Sequence, residues 1–405
     1  MVKTNSSSWV CLVGALVAFA VCSSVFAAAA VSPSSAWASH NQAGLAALKA
    51  ARYDEALKNF QAALAEAEKT GAEAALATSL NNLGLLHTRQ GKYAEAEPLL
   101  KRALAIREKA LGPDHPDLAE SLNEVAAFYH GQGRYGEAEP LYQRALAIRE
   151  KTFGPNHSAV AYSLNGLAGL YRDEGRYGEA GPLYQRALAI WEKTSGPDHP
   201  SVATGLNNLA LLYRDQGRFD EAEPLYLRAL AIREKALGPN HPDVANSLNN
   251  LAGLYHAQRR HDEVEPFFKR ALAIREKALG PDHPDLAISL NNLGELYRAQ
   301  RRYDEAEPLF KQALAIREKT LGPDHPSVAT GLNNLALLYQ AQGQYDEAEP
   351  LFKRSLDILE KALPNHPNVA AALDNYANLL QAMRRGAEAA EFRARAAAIR
   401  AKAGK

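Results

Sequence analysis

Two residue types recur in this 405-residue chain at spacings that could do chemistry, histidine and asparagine. His115, His157, His199, His241, His283, His325 and His366 recur once per unit. A row of imidazoles invites a metal centre, and zinc would need their nitrogens at about 2 Å from one ion. Residues one repeat apart lie on stacked helices roughly 8–10 Å from each other, too far to converge. These histidines therefore read as turn or cap residues, and neither metal nor cofactor is expected. The chain has no HExxH, no GxSxG, no GxxxxGK[ST] and no paired cysteines. Near-identical units repeat the same groups at regular intervals, whereas catalysis draws unlike groups into one pocket. The chain reads as non-catalytic. Support for an enzyme would be a buried charged cluster breaking the repeat, and none is visible in the sequence.

The asparagines carry more. One face of each first helix presents a row set at 4 and 7 from an Asn: Asn165-Gly169-Arg172, Asn207-Leu211-Arg214, Asn249-Gly253-His256, Asn291-Glu295-Arg298 and Asn333-Leu337-Gln340. Asn costs several tenths of a kcal/mol against Ala inside a helix, so its recurrence needs a reason. One account is a ladder in which each amide bonds the neighbouring unit, since it offers both donors and acceptors. The other has the same amides binding the backbone of a ligand. Gly169 and Gly253 remove bulk where Leu211 and Leu337 supply it, which would leave pockets beside ridges. Arg172, Arg214 and Arg298 would favour carboxylates and hence an acidic partner segment. Their alternative is a solvated surface, because Asp173 and Asp215 adjoin two of them. Trp191 stands where other units have Arg149 or Arg233, either as an exposed contact or as a neutral substitution.

The elements that hold these rows follow from self-similarity. Leu-Asn recurs at Leu80, Leu122, Leu164, Leu206, Leu248, Leu290 and Leu332, each step being 42 residues, and a step of 41 reaches Leu373. With a degenerate first copy around Tyr53, this makes nine units. Leu290, Leu293, Gly294 and Tyr297 lie on one face of a first helix. A turn follows around Gly91, Gly133, Gly175 and Gly343, although Arg259 and Arg301 occupy the matching place elsewhere. Tyr303-Asp304-Glu305-Ala306-Glu307-Pro308 opens a second helix, acidic at its start and with Pro placed near the first turn. Its buried stripe is Ala306, Phe310, Ala313 and Leu314. Gly322-Pro323 stops it, and Asp324-His325-Pro326 begins the next helix. Each hairpin exposes apolar faces that only stacking buries. The expected fold is all-α, a right-handed superhelical solenoid of about nine antiparallel helix pairs. The units lie near 42–76, 77–118, 119–160, 161–202, 203–244, 245–286, 287–328, 329–369 and 370–405, the last a polar cap.

Residues 1–38 differ from the solenoid at 39–405. They contain one charged residue, Lys3, then an apolar run from Trp9 to Val21 and small residues at Val25-Phe26-Ala27 and Ala36-Trp37-Ala38. That order reads as a secretory signal. The alternative is an uncleaved anchor, because Trp9 to Val31 reaches the roughly 20 residues a spanning helix needs. Export to the periplasm or beyond is expected, with membrane association only through residues 1–38 if they stay attached. Both cysteines, Cys11 and Cys22, lie in this leader. Lys plus Arg equals Asp plus Glu at 46 each, so no global field argues for nucleic acid.

The spacing Leu290-x-x-Leu293-Gly294-x-x-Tyr297, then Ala306-x-x-x-Phe310-x-x-Ala313, resembles the tetratricopeptide pattern. Ser289-Leu290-Asn291-Asn292-Leu293, Asp304-Glu305-Ala306-Glu307-Pro308-Leu309 and Leu321-Gly322-Pro323-Asp324-His325-Pro326 are similar to the repeats of kinesin light chains and their bacterial relatives. The resemblance covers about residues 42–400. It implies that the first helices line a concave groove which binds peptide segments, and it places the Asn-headed rows there. The chain lacks the heptad segment that joins a kinesin heavy chain, so motor transport is not implied. The expected function is a scaffold binding an extended peptide or partner segment in that groove. The alternative is a cell-envelope assembly factor using its convex or edge surfaces.

Overall fold

The computed structural model describes residues 34–403, and these form eighteen α-helices that pack as consecutive pairs. The first three pairs are α1 (Ser35–Lys49) with α2 (Tyr53–Thr70), α3 (Glu73–Arg89) with α4 (Tyr93–Leu111), and α5 (Pro116–Gly131) with α6 (Tyr135–Phe153). The middle three are α7 (Ser158–Asp173) with α8 (Tyr177–Ser195), α9 (Pro200–Asp215) with α10 (Phe219–Leu237), and α11 (Pro242–Ala257) with α12 (His261–Leu279). The last three are α13 (Pro284–Ala299) with α14 (Tyr303–Leu321), α15 (Pro326–Gln342) with α16 (Tyr345–Ala362), and α17 (Pro367–Ala382) with α18 (Gly386–Ala403).

The units begin a few residues earlier than the sequence suggests, because the cap precedes the recurring Leu-Asn string by more than a helical turn. The second pair spans 73–111 instead of 77–118, and the third begins at Pro116 instead of 119. The first pair begins at Ser35 instead of 42. The signal or anchor reading falls mainly on residues 1–33, outside the described residues. Its last part, Ala36-Trp37-Ala38, lies inside α1, where Ser34 Oγ accepts the Trp37 backbone N–H and Trp37 Nε1 donates to Ser79 Oγ at 2.9 Å.

The recurring histidines are helix caps. His115 Nδ1 accepts the backbone N–H of Asp117 at 3.2 Å, and His157, His199, His241, His283, His325 and His366 cap their helices in the same way. Each imidazole thus does what a Ser or Asp side chain does at most helix starts. The prolines of the second helices (Pro98, Pro140, Pro182, Pro224, Pro266, Pro308 and Pro350) fall in the second turn, not the first. There the ring removes a hydrogen bond from the helix interior.

Within each pair, a large side chain of the second helix meets a very small one of the first. A Cβ on Gly44 would lie 2.5 Å from Phe60, one on Gly84 2.6 Å from Leu100, and one on Gly294 3.0 Å from Phe310. Where the second helix has Tyr142, Tyr184 or Tyr226, the first has Ala126, Ala168 or Ala210, all fully buried. Between pairs, charged groups tie second helices to the following turn. Arg176 lies over the Tyr171 ring, 3.9 Å from its centroid, and reaches Glu139 at 2.9 Å and Glu179 at 2.7 Å. Arg260 and Arg302 repeat the arrangement.

A second tie is wholly or partly buried. Arg107, Arg149, Arg233 and Arg275 each donate from Nη1 to the Oγ of a serine fourteen residues on: Ser121, Ser163, Ser247 and Ser289. Trp191 occupies this place in its unit and is 1% exposed, so it is a core residue and not a surface contact. Gly205 replaces its serine, and a Cβ there would sit 3.1 Å from the indole. Arg317 breaks the pairing. It faces Gly331, its Nη1 is buried without a hydrogen-bond partner, and burial pushes its guanidinium down to about 10.

Gly331→Ser supplies the missing hydroxyl and removes a glycine from a helix interior. It should stabilise the protein by about 1–2 kcal/mol, read as a higher urea midpoint. A lower midpoint would mean that the 3.2 Å approach of the new Cβ to Leu314 and Arg317 outweighs the bond.

Candidate functional site

First helices of adjacent pairs touch one another, as α7 does α9, α9 does α11 and α13 does α15. Such close approach places them on the inner side of the curve, and they carry the Asn-headed rows. Each inner asparagine precedes a second one in most units, and the two build a ladder. Asn165 Oδ1 accepts from Asn208 Nδ2 at 2.8 Å, Asn207 from Asn250 at 2.8 Å, Asn291 from Asn334 at 2.9 Å, and Asn333 from Asn375 at 3.1 Å. Asn41 and Asn82 begin it at 2.7 Å. The ladder account is therefore realised at Asn165, Asn207, Asn291 and Asn333. The donors are the second asparagines, which the row pattern passed over. Asn249 differs, because its Nδ2 reaches Ser289 Oγ only at 3.5 Å and its Oδ1 is buried without a partner.

The charges of the inner face are paired within the chain. Arg172 Nη2 reaches Asp173 at 2.6 Å and its Nε reaches Asp215 at 3.7 Å. Arg214 pairs with Asp215 at 3.0 Å, and Arg298 with the buried Glu295 at 2.7 Å. His130 Nε2 lies 2.8 Å from Asp173 Oδ2. Burial opposes the charge on Asp173, but His130 and Arg172 hold its carboxyl below the usual range. Each of these arginines already meets a carboxylate of its own chain.

The pattern of pockets and ridges also changes. Leu211 is buried and forms no ridge, whereas Leu337 is half-exposed. Gly169 borders Tyr184 Oη at 3.5 Å and His130 at 3.8 Å, and Gly253 borders Arg214 Nη1 at 3.7 Å, measured from a Cβ placed on each. His256 and Gln340 are half-buried at the same edge. The structure thus gathers Gly169, Arg172, His130, Asp173 and Tyr184 into one cluster, and it keeps Glu295 with Arg298 in another.

One group had not been singled out. Glu124 takes the place of a second asparagine, so the ladder loses its amide donor there, and the Glu124 carboxyl meets the side chain of Asn81 instead. Its side chain is 12% exposed, its Oε2 has no hydrogen-bond partner, and Arg107 Nη1 stands 3.9 Å away. Burial pushes its carboxyl up to about 7, against the smaller opposing pull of Arg107. The signal was present in the row Asn82, Glu124, Gly166, Asn208, Asn250, where one member is acidic. Among the described residues, no group of three or more His, Cys, Asp or Glu is placed to hold a metal ion.

A family profile described as tetratricopeptide repeat matches residues 34–109, 75–151, 117–180, 159–235, 201–277, 260–319, 285–361 and 327–402. Among solved structures, a putative kinesin light chain of Podosopora anserina with nearly identical TPR-like repeats is 34% identical. The match covers 51% of this chain and 97% of that one, with a TM-score of 0.43. BtubC (BKLC) from P. vanneervenii is 25% identical over 60% of this chain and 91% of its own, at 0.44. A Rap protein complexed with competence and sporulation factor is 16% identical, covers 91% of this chain and 99% of its own, and has a TM-score of 0.61. No curated protein matches the chain.

Glu124 gives the inner face a pH signature. Its folded pKa is raised, so the folded state holds the proton more tightly than the unfolded one. Its contribution is complete below the ordinary carboxylate range and is lost as pH rises to about 7. Glu124→Asn, which restores the ladder residue, should therefore stabilise more at pH 8 than at pH 5, by on the order of 2 kcal/mol. Equal gains in urea denaturation at both pH values would place the charge of Glu124 in solvent.

Proposed function

From the premise that this chain belongs to the tetratricopeptide repeat family, we propose that it is a non-catalytic scaffold holding an extended protein segment along its inner face. The observation that carries this reading is where the units differ. The buried positions of each pair are nearly constant, while the places 4 and 7 residues after the inner asparagine run through Gly, Leu and Glu, and through Arg, His and Gln. Variation that recurs along one edge of a repeating stack suits a surface that reads a partner. The geometry of an extended chain agrees. At about 3.3 Å per residue, roughly every third residue of the segment meets a new unit on helices roughly 8–10 Å apart.

The ladder uses the amide oxygens of Asn165, Asn207, Asn291 and Asn333. What is left for a partner is the space at Gly169 and Gly253, the side chain of Leu337, and the outer rims of Arg172, Arg298 and Gln340. Recognition then rests on shape and on donors left over by the ion pairs, with no preference for a net acidic segment. Residues 1–38 support export as the setting, and recovery of the chain from the membrane fraction would instead support the anchored alternative.

The test is partner capture from extracts of the source cells with the full chain and with a variant carrying Gly169→Leu, Gly253→Leu and Arg298→Ala. The variant should lose at least roughly tenfold in affinity, about 1.4 kcal/mol, while its helix content is unchanged. A control with Lys311→Ala and Lys353→Ala, on the second helices, should bind as the parent does. The reverse outcome would move the binding surface to the outer helices and remove the inner face from the account.

A further inference from the structure

The superhelix returns onto itself after six pairs. His325, which caps α15 in the eighth pair, places Nε2 at 3.1 Å from the carbonyl oxygen of Arg89, at the end of α3 in the second pair. The turn that follows α3 lies against the same start: a Cβ on Gly91 would be 2.8 Å from Pro326 Cδ and 2.9 Å from His325. One pair further along, Gly133 meets His366 at 3.1 Å and Pro367 at 3.4 Å. Both glycines have a positive φ, 70° and 71°.

The other turns supply the control. Gly175 and Gly217 have the same backbone conformation, yet a Cβ on either would meet nothing within 4 Å. They would need a tenth and an eleventh pair above them. At the matching turns after α11 and α13, Arg259 and Arg301 are held at φ 61° and 60°. This turn accepts a side chain at Arg259 and Arg301, and its backbone is bare at the two turns where a helix start comes within 3.4 Å, as it also is at Gly175 and Gly217. The capping histidines differ in exposure, with His115, His241 and His283 half-buried like His325 and His366. His157 and His199 are exposed, whereas His325 and His366 are covered by the earlier turn.

We propose that these two contacts form a latch that closes one full turn of the solenoid, and that protonation of His325 and His366 opens it. The chemistry follows from how each imidazole is used. His325 Nδ1 accepts the Ser327 backbone N–H at 3.0 Å, so its proton sits on Nε2, which donates to the Arg89 carbonyl. A second proton has to go to Nδ1, where it meets the Ser327 N–H and ends the cap. It also adds positive charge at a helix N-terminus. His366 Nδ1 is committed in the same way to Asn368 at 3.0 Å.

The groups facing the latch are few. Arg317 opposes a charge on His325, while the Arg89 carbonyl favours it. At His366, Asp173 favours the charge and His130 opposes it. The neighbouring cap, His283, faces Asp285, Arg275 and Arg89. Burial outweighs the rest at both latch histidines and pushes each down to about 4. The closed form therefore loses ground as pH falls below the ordinary histidine range toward 4. The change is at most about tenfold in the open–closed ratio per pH unit and per histidine. The latch concerns the shape of the free chain and stands whether or not the inner face holds a partner. If it does, the latch governs entry from the side.

Small-angle scattering of the full chain between pH 7.5 and pH 5.0 tests this. The radius of gyration should rise at pH 5.0 while circular dichroism shows the helices intact. Gly91→Asn with Gly133→Asn should be expanded already at pH 7.5, because Asn accepts the left-handed turn but its Cβ obstructs docking. His325→Asn with His366→Asn keeps a capping side chain without a titratable proton and should show no change in radius between the two pH values. A parent chain whose radius ignores pH, or an asparagine turn variant as compact as the parent, would overturn the latch. A pH response retained by the histidine variant would overturn its trigger.

Discussion

Each large side chain on a second helix needs a residue with almost no side chain opposite it, and the whole stack depends on that fit. Phe60 against Gly44, Leu100 against Gly84 and Phe310 against Gly294 leave no room for one more carbon. Tyrosines at the same place meet alanines. Interiors this dense transmit small changes in separation, so this contact sets how closely two helices lie and how far each pair turns from the last. The inner ladder and the return of the superhelix after six pairs both inherit their geometry from it.

Departures from the repeat are more informative than its constancy, since each shows a second way of meeting the same demand. Ser79 has no arginine beneath it and is satisfied by Trp37 from the first helix. Trp191 and Gly205 exchange a polar pair for an indole packed on bare backbone, with Trp191 Nε1 buried and without a hydrogen-bond partner. Arg317 keeps the cation after its serine has become glycine, leaving a buried guanidinium nitrogen unmatched. Glu124 puts a carboxyl where the ladder expects an amide donor. A buried group left unpaired costs more than its bond would have contributed, so these are the points where the stack is least settled.

The inner face spends much of its polarity on itself. Amide oxygens are taken by neighbouring amides, and the guanidinium groups of Arg172, Arg214 and Arg298 by carboxylates one to three residues away in sequence. Pairing of this kind stiffens the surface and lowers its net field, so a segment lying there would be recognised by shape more than by charge. The tetratricopeptide repeat accounts for the scaffold.

The 42-residue period, the helix pairs and the capping role of the histidines were legible in the sequence. Each rests on residues a few positions apart: a cap and its helix, a stripe and its face, a glycine and its turn. Unit boundaries were misjudged by a few residues because the most regular string, Leu-Asn, sits well inside its helix. The tertiary structure alone decided which asparagine donates, that Trp191 is core, that the arginines are already paired, and that His325 rests on Arg89 across 236 residues. Those outcomes depend on distances between units, and the last on a small rotation summed over six of them. No local pattern encodes such a sum; it exists only once every pair is packed.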